Sequence, residues 1–395
     1  MGGTASLNRK YSIVQFGHKS MPSREGGIEV VVEELSTRMA RLGHEVTCIN
    51  RRGRHANETG LESQMPNDYK GIKIVTVPTI NRKGLAAVSA SFFASIKAAF
   101  GHYDIVHVHA EGPALFCWIP KAVGKRVVCT VHGLDYARAK WGRFGRLCIL
   151  GGERSAVRHA DEIIVLSRNV QDYFRETYGR RTVFIPNGVE RPEAVEAKEI
   201  TEKWGLRKDD YLLFLGRLVP EKGVHYLIEA YLNIKDRTPE RLKGKKLVIA
   251  GGSSDTDAYV DGLKAMGEDI IFTGFQQGKV REELYSNAYV YVLPSDLEGM
   301  PLSLLEAMSY GNCCLVSSIK ECTEVVEDKA AVFGKGNVHD LERELQRLCG
   351  DKQLVDSYKE SAADFICSKY RWNDVVERTL EVYGGKVGNE GLESE

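Results

Sequence analysis

The stretch Tyr11–Asn50, YSIVQFGHKSMPSREGGIEVVVEELSTRMARLGHEVTCIN, decides the fold. Its opening run is short, β-rich and ends on a glycine, and a Gly-Gly pair follows. Ile28, Val31, Val32, Leu35, Met39 and Leu42 then recur at the spacing of one helix face. Gly43 stands where such a helix ends, and HEVTCIN opens a second strand. Strand, helix and strand in this order make one βαβ unit. The loop between the first strand and the helix faces the carboxyl end of the sheet, where open α/β sheets bind ligands.

The same alternation continues through IKIVTV, an Ala-rich helix over 86–100, DIVHVHA, RVVCTVHG, DEIIVLS and TVFIPNG. Apolar β runs alternating with helices predict a parallel, doubly wound sheet. Around Pro186 to Pro192 a turn and a charged, helix-forming segment interrupt the series, which places a linker there. A second series follows, with YLLFLG, KLVIAGG, IIFTG, AYVYVLPS and CCLVSS as strands. Two Rossmann-like domains are expected, and 395 residues with 43% hydrophobic content are enough to give each its own core.

Composition narrows the function classes. No apolar run reaches the roughly 18 residues of a membrane span, and MGGTASLNRK lacks the apolar core of a signal peptide. A cytoplasmic protein is expected. Gly2 and Ser6 fit a loose myristoylation pattern whose shortness favours a chance match. The nine cysteines have no metal-ligand spacing, so reduced core thiols are expected. Net charge is zero, yet in residues 1–190 Lys and Arg outnumber Asp and Glu by about ten, and the remainder carries the opposite excess. The first half is therefore expected to meet an anionic partner, such as a membrane surface or a phosphorylated acceptor. No nucleic-acid-binding motif accompanies the charge, and no nucleic acid is expected.

Two segments carry the most chemistry. In Glu298–Ser318, EGMPLSLLEAMSYGNCCLVSS, Gly299 permits a tight turn and Pro301 suits the first position of a helix. The amides of Gly299, Met300, Leu302 and Ser303 are then open to an anion, with Leu302, Leu305 and Met308 on the apolar side and Glu306 further along. In GRLVPEKG, Arg217 and Lys222 follow a strand end, where a guanidinium and an ammonium can together neutralise a diphosphate. Gly26 and Gly27 do not form the G-x-G-x-x-G fingerprint of a nicotinamide enzyme. His107 and His109 alternate on one strand, one expected to face inward and the other away. Between Arg138 and Arg158, Lys140, Arg143, Arg146 and Arg154 mix with Trp141, Phe144 and Leu147, which suits an anionic membrane interface. A solvated basic face over a partly buried helix is the competing reading.

The segment from Glu298 resembles the signature of the retaining glycosyltransferases of family 4, which have the GT-B fold. Further family-like segments occur in the same order: REGGIEVVVEELSTRMARLGHEVT, TVHGLD, IPNGV, FLGRLVPEKGVHYLIEA, VIAGG and FTGF. The resemblance runs from about Tyr11 to Tyr383. It implies an acceptor-binding domain over residues 1–190 and a nucleotide-sugar-binding domain over 191–372, facing across a cleft. A last helix over 373–385 would cross back to the first domain, ahead of a disordered tail at 386–395.

It also implies site roles. His132 and Glu298 would lie near the transferred sugar, with Arg217 and Lys222 on the diphosphate. Glu306 would accept hydrogen bonds from the ribose, Phe275 would neighbour the nucleobase, and Gly26 and Gly27 would approach donor phosphates or acceptor. Family members carry Gly where this chain has Pro301, which removes one amide beside the sugar. The implied activity is metal-independent transfer, with retention, from a nucleotide sugar (UDP-sugar favoured) to a saccharide or lipid-linked acceptor. Cell-surface polysaccharide or glycolipid synthesis at the inner face of the plasma membrane is the implied setting. No cofactor is expected. A GT-B nucleotide-sugar epimerase and a catalytically idle nucleotide-sugar-binding protein are the alternatives.

Overall fold

The computed structural model describes residues 9–52, 67–80, 82, 84–138, 141–253 and 256–385. The Gly2–Ser6 pattern, Lys140 and the tail at 386–395 lie outside the described residues. The chain forms two units, one running through Asn187 and taking in the C-terminal stretch from Trp372, the other Gly188–Arg371.

In the first unit β1 (Ser12–Phe16), β2 (Glu45–Arg51), β3 (Asp68–Tyr69), β4 (Ile72–Val77), β5 (Ile105–His109), β6 (Arg126–Val131), β7 (Glu162–Val165) and β8 (Val183–Phe184) form one sheet. Their order is β3-β4-β2-β1-β5-β6-β7-β8, parallel throughout except for β3 against β4. Ile13, Val14, Val106, Val108 and Val128 are fully buried, because helices cover both faces and leave no polar side to alternate with. The order in which strands are added reverses between β1 and β5, the switch point of a doubly wound sheet. Gly17, at φ +115°, lets β1 end against β5, since a Cβ there would overlap the His109 carbonyl.

Helix Gly27–Arg41 buries Val31, Val32, Leu35 and Met39 as its periodicity predicts. Leu42 departs from the prediction: it caps the helix rather than joining its face and is half exposed. The last helix, Trp372–Tyr383, also belongs to the first unit. There Trp372 lies under the Arg38 guanidinium, and the Val382 carbonyl accepts from Arg126 Nη2 at 2.7 Å.

The second unit repeats the architecture with β9 (Tyr211–Leu215), β10 (Lys246–Ala250), β11 (Ile271–Gly274), β12 (Val290–Leu293), β13 (Cys313–Ser317) and β14 (Ala331–Phe333). All its pairings are parallel, in the order β11-β10-β9-β12-β13-β14, so the switch point lies between β9 and β12. Gly223, at φ +64°, brings the turn after β9 against the end of β12, because only a missing Cβ clears the Pro294 carbonyl. Among the described residues no helix is long and apolar enough to cross a membrane.

Candidate active site

In the second unit the turn Pro220–Lys222 and the segment after β12 bring Lys222 and Glu298 together. Lys222 Nζ donates to Glu298 Oε1 at 2.6 Å, and Ser295 Oγ donates to the same oxygen at 2.7 Å. The two side chains are only 13% and 8% exposed, so each charge depends on the other. The turn is tied down by Asp296 N donating to the Glu221 carbonyl at 2.9 Å. Arg217 lies two residues after the end of β9 and is half-buried. Phe275, just beyond β11, is 47% exposed beside Gly252.

Pro301 is not the first helical residue. It caps helix Leu302–Ser309 with extended backbone (φ −77°, ψ 97°), and its carbonyl accepts from Leu304 N and Leu305 N. The helix therefore starts one residue later than expected, and Leu304 joins Leu305 and Met308 on the buried side while Leu302 is only half-buried. The amides of Gly299, Leu302 and Ser303 donate to no protein group among the described residues and remain available to an anion. Met300 is buried.

Glu306, on the same helix, forms an ion pair through Oε1 with Arg281 of helix Gly278–Ser286. Tyr285 directs its hydroxyl between Glu306 Oε2 at 3.3 Å and the Ser303 carbonyl at 3.4 Å. Burial alone would lower the Arg281 pKa, but the Glu306 charge prevails and holds it above its ordinary range. Tyr291 donates toward Ser303 Oγ at 2.9 Å, so two buried tyrosines fix the start of the helix.

In the first unit Gly26 caps helix Gly27–Arg41 without a side-chain bond, and Gly27 is exposed. The Glu29 carboxylate folds back over this cap, since a Cβ on Gly26 would overlap Oε2, and Oε1 accepts from Lys19 N at 2.9 Å. The helix start thus already has an anion beside it.

His132 follows β6, with Nε2 at 3.1 Å from His109 Nδ1. Burial pushes its pKa down to about 4 against the opposing charges of Asp135 and Glu29, so the ring is neutral at pH 7. His107 and His109 do not face opposite ways. Residues two apart share a strand face, and the two rings pack at 4.1 Å, both fully buried. His107 bonds Thr130 Oγ1 at 2.7 Å and Tyr383 OH at 2.6 Å. Glu111, also buried, accepts from Asp135 N at 2.8 Å and so anchors the turn beyond His132.

Residues 25–191 match the family described as Glycosyltransferase Family 4, and residues 196–365 match Glycosyl transferases group 1. The chain belongs to this glycosyltransferase family. An uncharacterized glycosyltransferase of Methanocaldococcus jannaschii is 24% identical over 92% of this chain and 95% of its own length. Among solved structures, sucrose-phosphate synthase from Thermosynechococcus elongatus superposes with a TM-score of 0.76 at 19% identity, covering 94% of this chain and 98% of its own. Anabaena HepE in complex with UDP-glucose gives 0.75 at 16% identity, covering 95% and 100%. The glycosyltransferase has the GT-B fold.

Sequence reasoning about this glycosyltransferase missed Arg281, Tyr285, Ser295, Gln15 and Glu29. Arg281 and Tyr285 stand four apart on one helix, and that spacing puts them on one face. What they face is a carboxylate on another helix, which no local pattern reveals.

Proposed function

We propose that this glycosyltransferase moves a sugar from a nucleotide-diphosphate sugar, a UDP-sugar first, to a saccharide or lipid-linked acceptor with retention and without a divalent metal. The observation carrying this reading is the helix start at Leu302, with open amides, a buried Lys222–Glu298 pair before it and an Arg281-bound Glu306 beyond it. That one related fold is seen with UDP-glucose supports the choice of donor to test first.

On this reading the diphosphate meets Lys222, Arg217 and the amides of Gly299, Leu302 and Ser303. These donors gain strength as the leaving oxygen takes up charge. Lys222 exchanges part of its bond to Glu298 for phosphate, which frees that carboxylate to act near the sugar. Glu306, pre-aligned by Arg281 and Tyr285, accepts from the ribose hydroxyls, and the exposed ring of Phe275 packs on the base. The bond from the anomeric carbon to the phosphate oxygen breaks, the acceptor oxygen bonds the same face, and its proton passes to the departing phosphate. In the first unit the Glu29 carboxylate beside Gly26 repels phosphate, so we assign Gly26 and Gly27 to the acceptor and His132 to a sugar hydroxyl.

The setting we propose is peripheral attachment to anionic membrane on the cytoplasmic side, in glycolipid or surface-polysaccharide synthesis. Arg143 and Arg146 are exposed on the first turns of helix Arg143–His159 beside Phe144, 59% exposed, and Leu147, 65% exposed.

Incubation with UDP-, GDP- and dTDP-sugars plus acceptor, followed by mass and anomeric analysis of products, tests the reading. A glycoside with retained configuration, formed equally well in EDTA, is expected. An isomerised nucleotide sugar made without acceptor, an inverted product, or activity that EDTA removes and Mg²⁺ restores would each overturn the corresponding part. Co-sedimentation should increase with the anionic lipid content of vesicles and fall with salt. Equal binding to neutral vesicles would remove the electrostatic part.

A further inference from the structure

At the switch point of the first unit three consecutive strands of its sheet each contribute one polar side chain to a line: Gln15 from β1, His109 from β5, and His132 just after β6. The hydrogen bonds along this line have a direction. Gln15 Nε2 donates to Ser36 Oγ at 3.0 Å, and Oε1 is the amide atom turned toward His109 Nε2, 2.8 Å away. A carbonyl oxygen can only accept, so His109 carries its proton on Nε2 and presents a lone pair at Nδ1. His132 Nε2, 3.1 Å from that lone pair, must then be the donor.

Both rings are neutral. Burial drives the proton affinity of His109 far down, helped by the neighbouring His107, His132 and His18, and lowers that of His132 to about 4. Asp135 and Glu29 favour a charged His132 and Arg138 opposes it, and burial outweighs them. A neutral ring with its proton on Nε2 has its lone pair on Nδ1. That nitrogen bonds no protein group among the described residues, and the His132 residue is only part-buried.

We infer that Gln15 and His109 are positioning residues that fix the tautomer of His132, so that its Nδ1 is presented as a hydrogen-bond acceptor for a sugar hydroxyl. This rests on the role proposed above for His132 and adds what the ring does there. It receives a hydroxyl's hydrogen bond and has no proton to give. Two buried side chains hold that arrangement before any substrate arrives, so it is not reorganised at the moment of reaction.

The wild-type protein itself can be tested. Long-range ¹H–¹⁵N spectra of histidine-labelled enzyme at neutral pH, with the His132 signals identified by their loss in His132→Gln, should show a protonated Nε2 and a bare Nδ1. A proton on His132 Nδ1 would mean that the relay runs the other way and would overturn the inference. In Gln15→Met, which keeps volume but removes the acceptor, the His132 signals should move toward a mixture of tautomers. Transfer from UDP-glucose should lose on the order of 10- to 100-fold in kcat, the usual cost of losing a tautomer-fixing partner. The Kd for UDP should not change, since the residues assigned to it lie in the second unit. An unchanged tautomer and kcat in a folded Gln15→Met protein would also overturn the inference. A parent transfer rate in His132→Gln would instead refute the role proposed for His132, while the tautomer assignment would stand on the spectra.

Discussion

The two units share a doubly wound sheet and place their candidate residues at the same topological position, yet they handle charge there in opposite ways. Around the first switch point four histidine rings, His18, His107, His109 and His132, are held neutral beside Gln15, and the Glu29 and Glu111 carboxylates are bonded to backbone amides and, among the described residues, have no cation bonded to them by a side chain. Around the second stand compensated ions, Lys222 with Glu298 and Arg281 with Glu306. Neutral acceptors suit hydroxyls, whereas ions that can change partners suit a diphosphate. On the proposed reading, the fold sets where a ligand goes, and the residues at the strand ends set what it can be.

The largest test of the contrast is to break the buried ion pair. Lys222→Met should destabilise the second unit by about 3–5 kcal/mol, because Glu298 is left buried without its partner. Chemical denaturation followed by hydrogen exchange would locate the loss. Combining Lys222→Met with Glu298→Gln should restore most of it. If the single variant is as stable as the parent, the pair is not a buried compensated one.

Acid should act on the other unit. His18 has a folded pKa near 4 against an ordinary 6.5 because of burial, and His107 and His132 are also lowered. Between those values the unfolded chain binds more protons than the folded one, so stability rises with pH and is lost as pH falls from 6.5 toward 4. His18 alone accounts for on the order of 3 kcal/mol by pH 4. Exchange protection should therefore fail first in β1, β5 and β6. Earlier failure of the second unit would reverse the comparison.

A smaller effect is expected from Glu306→Gln, which keeps the shape but turns half of an acceptor-only group into a donor. UDP binding measured by calorimetry should weaken by about 1.5–3 kcal/mol. Smaller still, Tyr285→Phe should cost about 0.5–1.5 kcal/mol in the same measurement, since Arg281 still holds the carboxylate. Equal losses in the two variants would mean that the tyrosine, not the arginine, aligns Glu306.

The sequence was legible wherever a pattern was local. Apolar runs such as YLLFLG and RVVCTV marked strands because sheets covered on both faces need no alternation, and the 86–100 helix ends where its composition changes. Two-residue β3 and three-residue β14 escaped because such short pieces have no period, and β3 also breaks the all-parallel expectation. Lys222 and Glu298 could each be singled out from the turn or loop that carries it. That they bond each other across 76 positions could not be read, and neither could the line from Gln15 to His132. Such meetings depend on which strands the topology sets side by side, and each residue's own neighbourhood in sequence is silent on that.

The first unit is built from both ends of the described chain. Tyr383 reaches His107 across 276 positions, and Arg126 bonds the carbonyl before that tyrosine. Translation delivers residues in order at about 5–20 per second, so the continuous second unit is fully synthesised while the first still waits for its final helix. Newly made protein must therefore hold the surface meant for Trp372 and Tyr383 open for roughly 10–40 seconds. During that interval His107 lacks its Tyr383 partner, and the arrival of that last helix is the event that completes the histidine-lined interior.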